Sequence, residues 1–104
     1  MVTFNLGSSV IPNSQIPNVE RIGIYMKNHP ASTVVIKGYA SPDGNLDFNQ
    51  KLAQARAESV KTMLMKKYNI SADRITAKGE GITDMFSESA WNRVSIATLN
   101  ENNN

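Results

Sequence analysis

Apolar and polar residues alternate at the start of the chain, where Val2-Thr3-Phe4-Asn5-Leu6 reads as a half-buried strand ended by Gly7-Ser8-Ser9. Pro12 and Pro17 mark an irregular connection. From Asn18, a suitable N-cap, to about Asn28, the residues Val19, Ile22 and Met26 recur at helical spacing and define one buried stripe. His29-Pro30 stops this helix, because a residue before proline is steered away from helical dihedrals. Residues 33–37 are β-branched and almost continuously apolar, the pattern of a strand covered on both faces.

Pro42-Asp43-Gly44 then makes a turn, and Asn45 is placed to cap a second helix over residues 46–67, with Asp47 in its first turn complementing the helix dipole. Ala53, Ala57, Val60 and Leu64 follow one another at spacings of four, three and four, which makes them its core line. The two alanines imply a close approach of helix to sheet. Asn69 is a candidate helix stop. A strand follows over residues 74–78, with Ile75 and Ala77 on one face, and Gly79-Glu80-Gly81 is expected to break it. After a loop through Ser87-Glu88-Ser89, a last strand runs from about Arg93 to Leu99. The order is strand, helix, strand, helix, strand, strand. Helix crossovers require parallel pairing in part of the sheet, and the short final connection suits an antiparallel pair. The expected fold is a two-layer α/β sandwich around a mixed four-stranded sheet, with residues 1–99 forming one domain and residues 100–104 a polar tail.

Length and composition narrow the function. The 104 residues hold one domain, and 40% apolar with 19% charged residues is ordinary for a globular chain. A net charge of +2, with basic pairs such as Lys66-Lys67 lacking aromatic interleaving, argues against nucleic acid. Cysteine is absent, which suits an oxidising compartment and equally many cytosolic domains. No apolar run approaches the roughly 18 residues of a membrane span, and no signal peptide is present. An exported domain of this kind has lost its targeting segment or belongs to a longer chain.

Catalytic and metal chemistry find little material. The single histidine, His29, sits at a helix end, and without cysteine no soft-ligand zinc site can be assembled. Asp43 and Asp47 do not follow the spacing of a calcium loop. No cofactor or metal is expected, and no enzymatic activity. Tyr39 and Trp91 read as packing residues before sugar-stacking ones. The exception is a polar stripe on the second helix. Asn49 and Arg56 are seven residues apart, about 20° around the axis, and Arg56 lies about 60° from the core line. That position is the boundary where the helix meets the loops above the sheet. It suits an arginine gripping a small charged ligand, and equally a snorkelling arginine paired to Asp43 or Glu20.

The same region resembles a known family. Gly38-Tyr39-Ala40-Ser41 with Gly44, then Asn49 and Leu52, then Arg56-Ala57 and Val60 fall at the spacing of OmpA-like peptidoglycan-binding domains, which typically read G-H-T-D-x-x-G, N-x-x-L-S-x-x-R-A-x-x-V. Val2-Thr3-Phe4-Asn5 is similar to the family's first strand, residues 75–81 to its third strand and exit, and Asn92-Arg93-Val94 to a shortened N-R-R-V motif. The resemblance spans almost the whole chain.

It implies a non-enzymatic periplasmic domain that holds an outer-membrane protein to the cell wall. The implied ligand is the diaminopimelate of the peptidoglycan stem peptide, a zwitterion gripped by an arginine and a carboxylate. Membrane attachment would come only through another part of the parent protein, and the oligomeric state is open. Carried over by motif position, the arginine is Arg56, the helix amide is Asn49 and the turn lies between Ser41 and Gly44; the expected ligand-binding residues are Arg56, Asn49, Asp43, Ser41, Asn5 and Arg93. The family's aspartate, however, falls on Ser41, its histidine on Tyr39 and its threonine on Ala40. Asp43 is then either a substitute counter-ion for the ligand's ammonium or a turn residue bonding its own backbone. The alternative function is a protein-interaction or assembly domain that kept the fold and lost the grip on the wall.

Overall fold

The computed structural model describes residues 1–40, 45–82 and 94–101. Its strands are β1 (Val2–Thr3), β2 (Ser32–Ala40), β3 (Ile75–Ile82) and β4 (Val94–Glu101), and its helices α1 (Ile16–Asn28) and α2 (Leu46–Lys67), with short 3-10 turns at Asn13–Gln15 and Ala72–Arg74. The four strands form one mixed sheet in the order β1-β4-β2-β3. β2 and β3 are parallel, whereas β4 is antiparallel to both β1 and β2. The expected two-layer sandwich with a mixed four-stranded sheet is therefore the architecture observed.

Helix α2 begins and ends where the sequence pattern places it. The Asn45 side chain accepts the Phe48 N–H at 2.9 Å, which satisfies one of the four donors a helix start leaves open. At the other end Asn69 adopts a left-handed φ of 58°. Ile70 N–H then returns to the Leu64 carbonyl at 3.1 Å. Ala53, Ala57, Val60 and Leu64 are each at most 1% exposed. In α1 the stripe of Val19, Ile22 and Met26 is buried as expected. This helix starts earlier than Asn18, however, and Pro17 lies in its first turn, where a missing N–H costs nothing. Asn18 instead donates to the Met1 carbonyl at 3.1 Å and to Gln15 Oε1 at 3.0 Å, tying down the chain start.

Four expectations about the sheet are corrected. β2 is not covered on both faces. Ser32, Val34, Ile36, Gly38 and Ala40 are buried under the helices while Thr33 and Lys37 are exposed, so only one face is layered. The 79–81 glycine run does not end β3, which passes through it with an irregular register between Gly38 and Tyr39 of β2. β3 and β4 do not form a hairpin, because β4 crosses to the far side of β2. Finally, β4 runs beyond Leu99: Asn100 and Glu101 pair with Thr33 and Ser32, which removes two residues from the expected tail.

Two features set how the layers meet. At the start of β2, Arg74 donates from Nε to the Ser32 carbonyl at 2.9 Å and from Nη2 to the Met26 and His29 carbonyls at 2.8 and 3.0 Å. It thus satisfies the open carbonyls at the end of α1. Farther along β2, α2 rests almost directly on the strand. A Cβ on Gly38 would overlap the Ala53 carbonyl oxygen and lie 2.9 Å from the Ala57 nitrogen. Gly38→Ala should therefore push α2 off the sheet at a cost of about 1–3 kcal/mol, read as a lower midpoint in chemical unfolding.

Tyr68 follows α2 as its C-cap, and its buried hydroxyl has no hydrogen-bond partner among the described residues. Burial, and then the negative charge of Glu20, raise its pKa above the ordinary 10.0. The folded state thus holds the phenolic proton more tightly than the unfolded one. That contribution to stability is complete below pH 10 and is lost as pH rises toward the folded value. Tyr68→Phe should match or exceed the parent in stability at neutral pH and should lose less stability above pH 10, as measured by urea unfolding across pH.

Candidate functional site

β2 and β3 run parallel, so their carboxyl ends and the start of α2 meet at one end of the sheet. Open α/β sheets bind ligands in the crevice outside such strand ends. Here that end of the sheet is organised by Arg56. Its side chain has 0% exposure, and it is among the largest fully buried side chains. Nε donates to the Ser8 carbonyl at 2.9 Å, Nη1 to the Tyr39 carbonyl at 3.0 Å, and Nη2 to the Asn5 carbonyl at 3.1 Å. The guanidinium carbon also lies 5.4 Å from the centre of the Phe4 ring, itself only 2% exposed.

The local sequence explains this burial. Gly38, Ala53 and Ala57 let α2 approach the sheet, which carries position 56 inward instead of leaving it at a solvated boundary. A buried cation is tolerated only when bonded, and backbone carbonyls are its acceptors here. The three carbonyls belong to the exit of β1, to the loop after it and to the end of β2. One side chain therefore fixes three chain segments. Ser59, one turn further along α2, adds a bond from its hydroxyl to the Ser9 carbonyl at 2.6 Å.

Of the other expected site residues, Asn49 is buried on α2 at 6% exposure. Asn5 has an exposed side chain and joins the site through its carbonyl. Ser41, Asp43 and Arg93, like Trp91, lie outside the described residues. The structure brings Arg56 together with Asn5, and adds Phe4, Ser8 and Tyr39, none of which the sequence marked as a partner of Arg56. Two of these act through carbonyls, which leave no trace in side-chain chemistry. Phe4, the apolar residue next to Asn5, was the one legible hint. A separate open groove of about 780 Å³ runs between residues 9–11 and Ala55, Ser59 and Met63 of α2; neither Arg56 nor Asn49 lines it. Among the described residues, no group of three or more His, Cys, Asp or Glu side chains could hold a metal, and no helix is long and apolar enough to cross a membrane.

A small two-layer domain with an arginine knot at the parallel strand ends is the class that fold and site define. Residues 3–95 match the model of the OmpA family, and the chain belongs to that family. It is 38% identical over 103 residues to Outer membrane protein 40 of Porphyromonas gingivalis, which covers 97% of this chain and 27% of that protein. The chain spans about a quarter of the length of the outer-membrane relatives it matches. Among solved structures, the peptidoglycan-associated lipoprotein of Burkholderia pseudomallei superposes with a TM-score of 0.77 at 24% identity, covering 94% of this chain and 86% of that one. The cell wall anchor of the T6SS from Pseudomonas aeruginosa gives 0.72 at 25% identity, covering 94% and 73%.

Replacing Arg56 should test its structural part directly. Arg56→Ala leaves three carbonyls without their donor, at about 1–3 kcal/mol each where water cannot reach them. A loss of at least about 3 kcal/mol and a Tm lower by more than about 10 °C are expected from calorimetry. Arg56→Lys should recover only part, since an ammonium cannot span the planar fork.

Proposed function

We propose that this domain is a non-enzymatic anchor that holds its parent protein to the bacterial cell wall by binding peptidoglycan. The observation that carries the reading is the buried Arg56 knot in the family's register, at the end of the sheet where strand ends and helix start converge. The names of its structural neighbours, a peptidoglycan-associated lipoprotein and a cell wall anchor, support it. On this reading the domain works in the periplasm and reaches the outer membrane through the rest of the parent protein, like the outer membrane proteins to which it is similar.

The ligand is the stem peptide's diaminopimelate, whose side-chain end is a zwitterion. Arg56 receives its carboxylate, the 41–44 turn with Ser41 and Asp43 receives its ammonium, and Asn49, Asn5 and Arg93 complete the polar rim. The guanidinium has no exposed surface, so ligand contact requires the crevice to open. Titrating a diaminopimelate stem peptide should therefore shift the amide resonances of Asn5, Ser8 and Tyr39 together with those of Asn49 and Arg56. In the folded Arg56→Lys variant affinity should fall by about 10- to 150-fold, the loss of one strong charge-assisted bond. A lysine-type stem peptide, which lacks the side-chain carboxylate, should bind more weakly and be indifferent to this substitution. No shift changes at millimolar ligand would sink the diaminopimelate reading.

A second reading has one observation in its favour. Ser41 stands where the family carries its aspartate, so the ammonium meets a hydroxyl without charge. A domain that had given up the wall for a protein partner would look the same at this position. Ser41→Asp separates the two. Tighter stem-peptide binding in the variant, from a parent that already binds, supports the anchor; a parent silent toward the peptide and restored by Ser41→Asp supports the interaction domain.

A further inference from the structure

The outer strand β3 carries a side chain on its edge. Gly79 N–H donates to Gln54 Oε1 at 2.6 Å, and Gln54 Nε2 donates to the Ala77 carbonyl at 3.3 Å. The same nitrogen also donates to Glu58 Oε1 at 2.9 Å. These partners orient the amide. Turned over, its NH2 would face the Gly79 N–H, and its oxygen would face both the Ala77 carbonyl and the Glu58 carboxylate.

In a parallel ladder, a residue opposite position i donates to the carbonyl of i−1 and accepts from the N–H of i+1. The Gln54 amide makes this pair of bonds around Lys78. It is in effect a single peptide group of a further strand, seated on β3. Alternation along the strand sends the polar groups of Ala77 and Gly79 to one side and those of Thr76 and Lys78 to the other, where β2 lies. The place occupied by Gln54 is therefore the side on which β3 pairs with no strand among the described residues. Gly79 is what lets the helix bring it there, since a Cβ at that position would lie 2.7 Å from the backbone nitrogen of Gln54.

We infer that Gln54 is an edge guard: its amide occupies the site at which an extended segment would add to β3, and it keeps a second copy of this chain from pairing there. An unpaired edge is a template for another strand. The opposite edge, β1, has two residues and offers little to pair with, whereas β3 has eight. Lys78, exposed beside the plug, puts a charge on the same edge, another common deterrent. With the amide gone, β3 of one copy can lie against β3 of another across a two-fold axis and join the two sheets into one.

The test uses two variants of the full chain. Gln54→Met keeps the length and helix propensity but has neither polar atom; Gln54→Ala removes the side chain without adding apolar surface. Hydrogen exchange at the Gly79 amide reports the plug, and sedimentation over a concentration series reports association. In both variants Gly79 should exchange at least about tenfold faster, and self-association should set in at a concentration about tenfold lower than in the parent, with the circular dichroism unchanged. Should Gln54→Met fold poorly, Gln54→Ala carries the same reading. Faster exchange with the parent's association behaviour overturns the inference, as does unchanged exchange at Gly79.

Discussion

The buried guanidinium of Arg56 is the interaction on which the functional end of this domain depends. A cation with no exposed surface must be surrounded by acceptors, and here those acceptors are carbonyls of three segments distant in sequence: Asn5, Ser8 and Tyr39. Tyr39 is held by its pairing in β2, but the other two segments have no regular structure to place them. β1 ends at Thr3, before Asn5, and Ser8 lies in a loop. The charge of one helix residue thus organises chain that hydrophobic burial leaves unspecified. Because the bonds are charge-assisted and lie in a region of low dielectric, they are strong individually and are costly to break one at a time.

That arrangement requires the helix to come close to the sheet, and small residues make it possible on both sides. Gly38 of β2 faces Ala53 and Ala57, and Gly79 of β3 faces Gln54. Moving α2 outward by the width of a methyl group would lift Arg56 from its carbonyls and Gln54 from the edge of β3 at the same time. The arginine knot and the edge amide are therefore consequences of one packing choice. At the other end of β2, Arg74 plays a comparable part with different partners, gathering the carbonyls of Met26, His29 and Ser32. Two arginines thus hold β2 at both ends to the helices and loops that cover it.

Local chemistry was legible in the sequence and long-range pairing was not. The bounds of α2, its Asn45 cap and its core line could be read because capping, dipole and periodicity all act within a few residues. The stripe of α1 could be read too, although Pro17 looked like an interruption when it is a first-turn residue. The insertion of β4 between β1 and β2 has no local signature, since the short connection from β3 suggested a hairpin. Gly79 of β3 read as a breaker because its reason, the approach of α2 at Gln54, lies more than twenty positions away in the chain. For the site, helical geometry placed Arg56 near the core boundary and toward the loops. It could not show that the side chain turns wholly inward, because what draws it there is backbone oxygen.

This division bears on how the function is read. On the proposed reading Arg56 and Asn49 serve both the fold and the ligand, whereas Ser41 stands where the resemblance places an aspartate. The glycine at the close approach, Ala57 and the arginine stand at the spacing of the resemblance, and each has a packing or backbone role apart from any ligand. A family match at these positions therefore speaks first for the architecture. Serine at position 41, where the resemblance places an aspartate, removes a negative charge. The arginine knot, by contrast, cannot change without leaving the carbonyls of Asn5, Ser8 and Tyr39 unbonded. On the proposed reading, a difference in affinity from the family's other members arises at Ser41 and Asp43, while Arg56 gathers the carbonyls of Asn5, Ser8 and Tyr39 whatever the ligand.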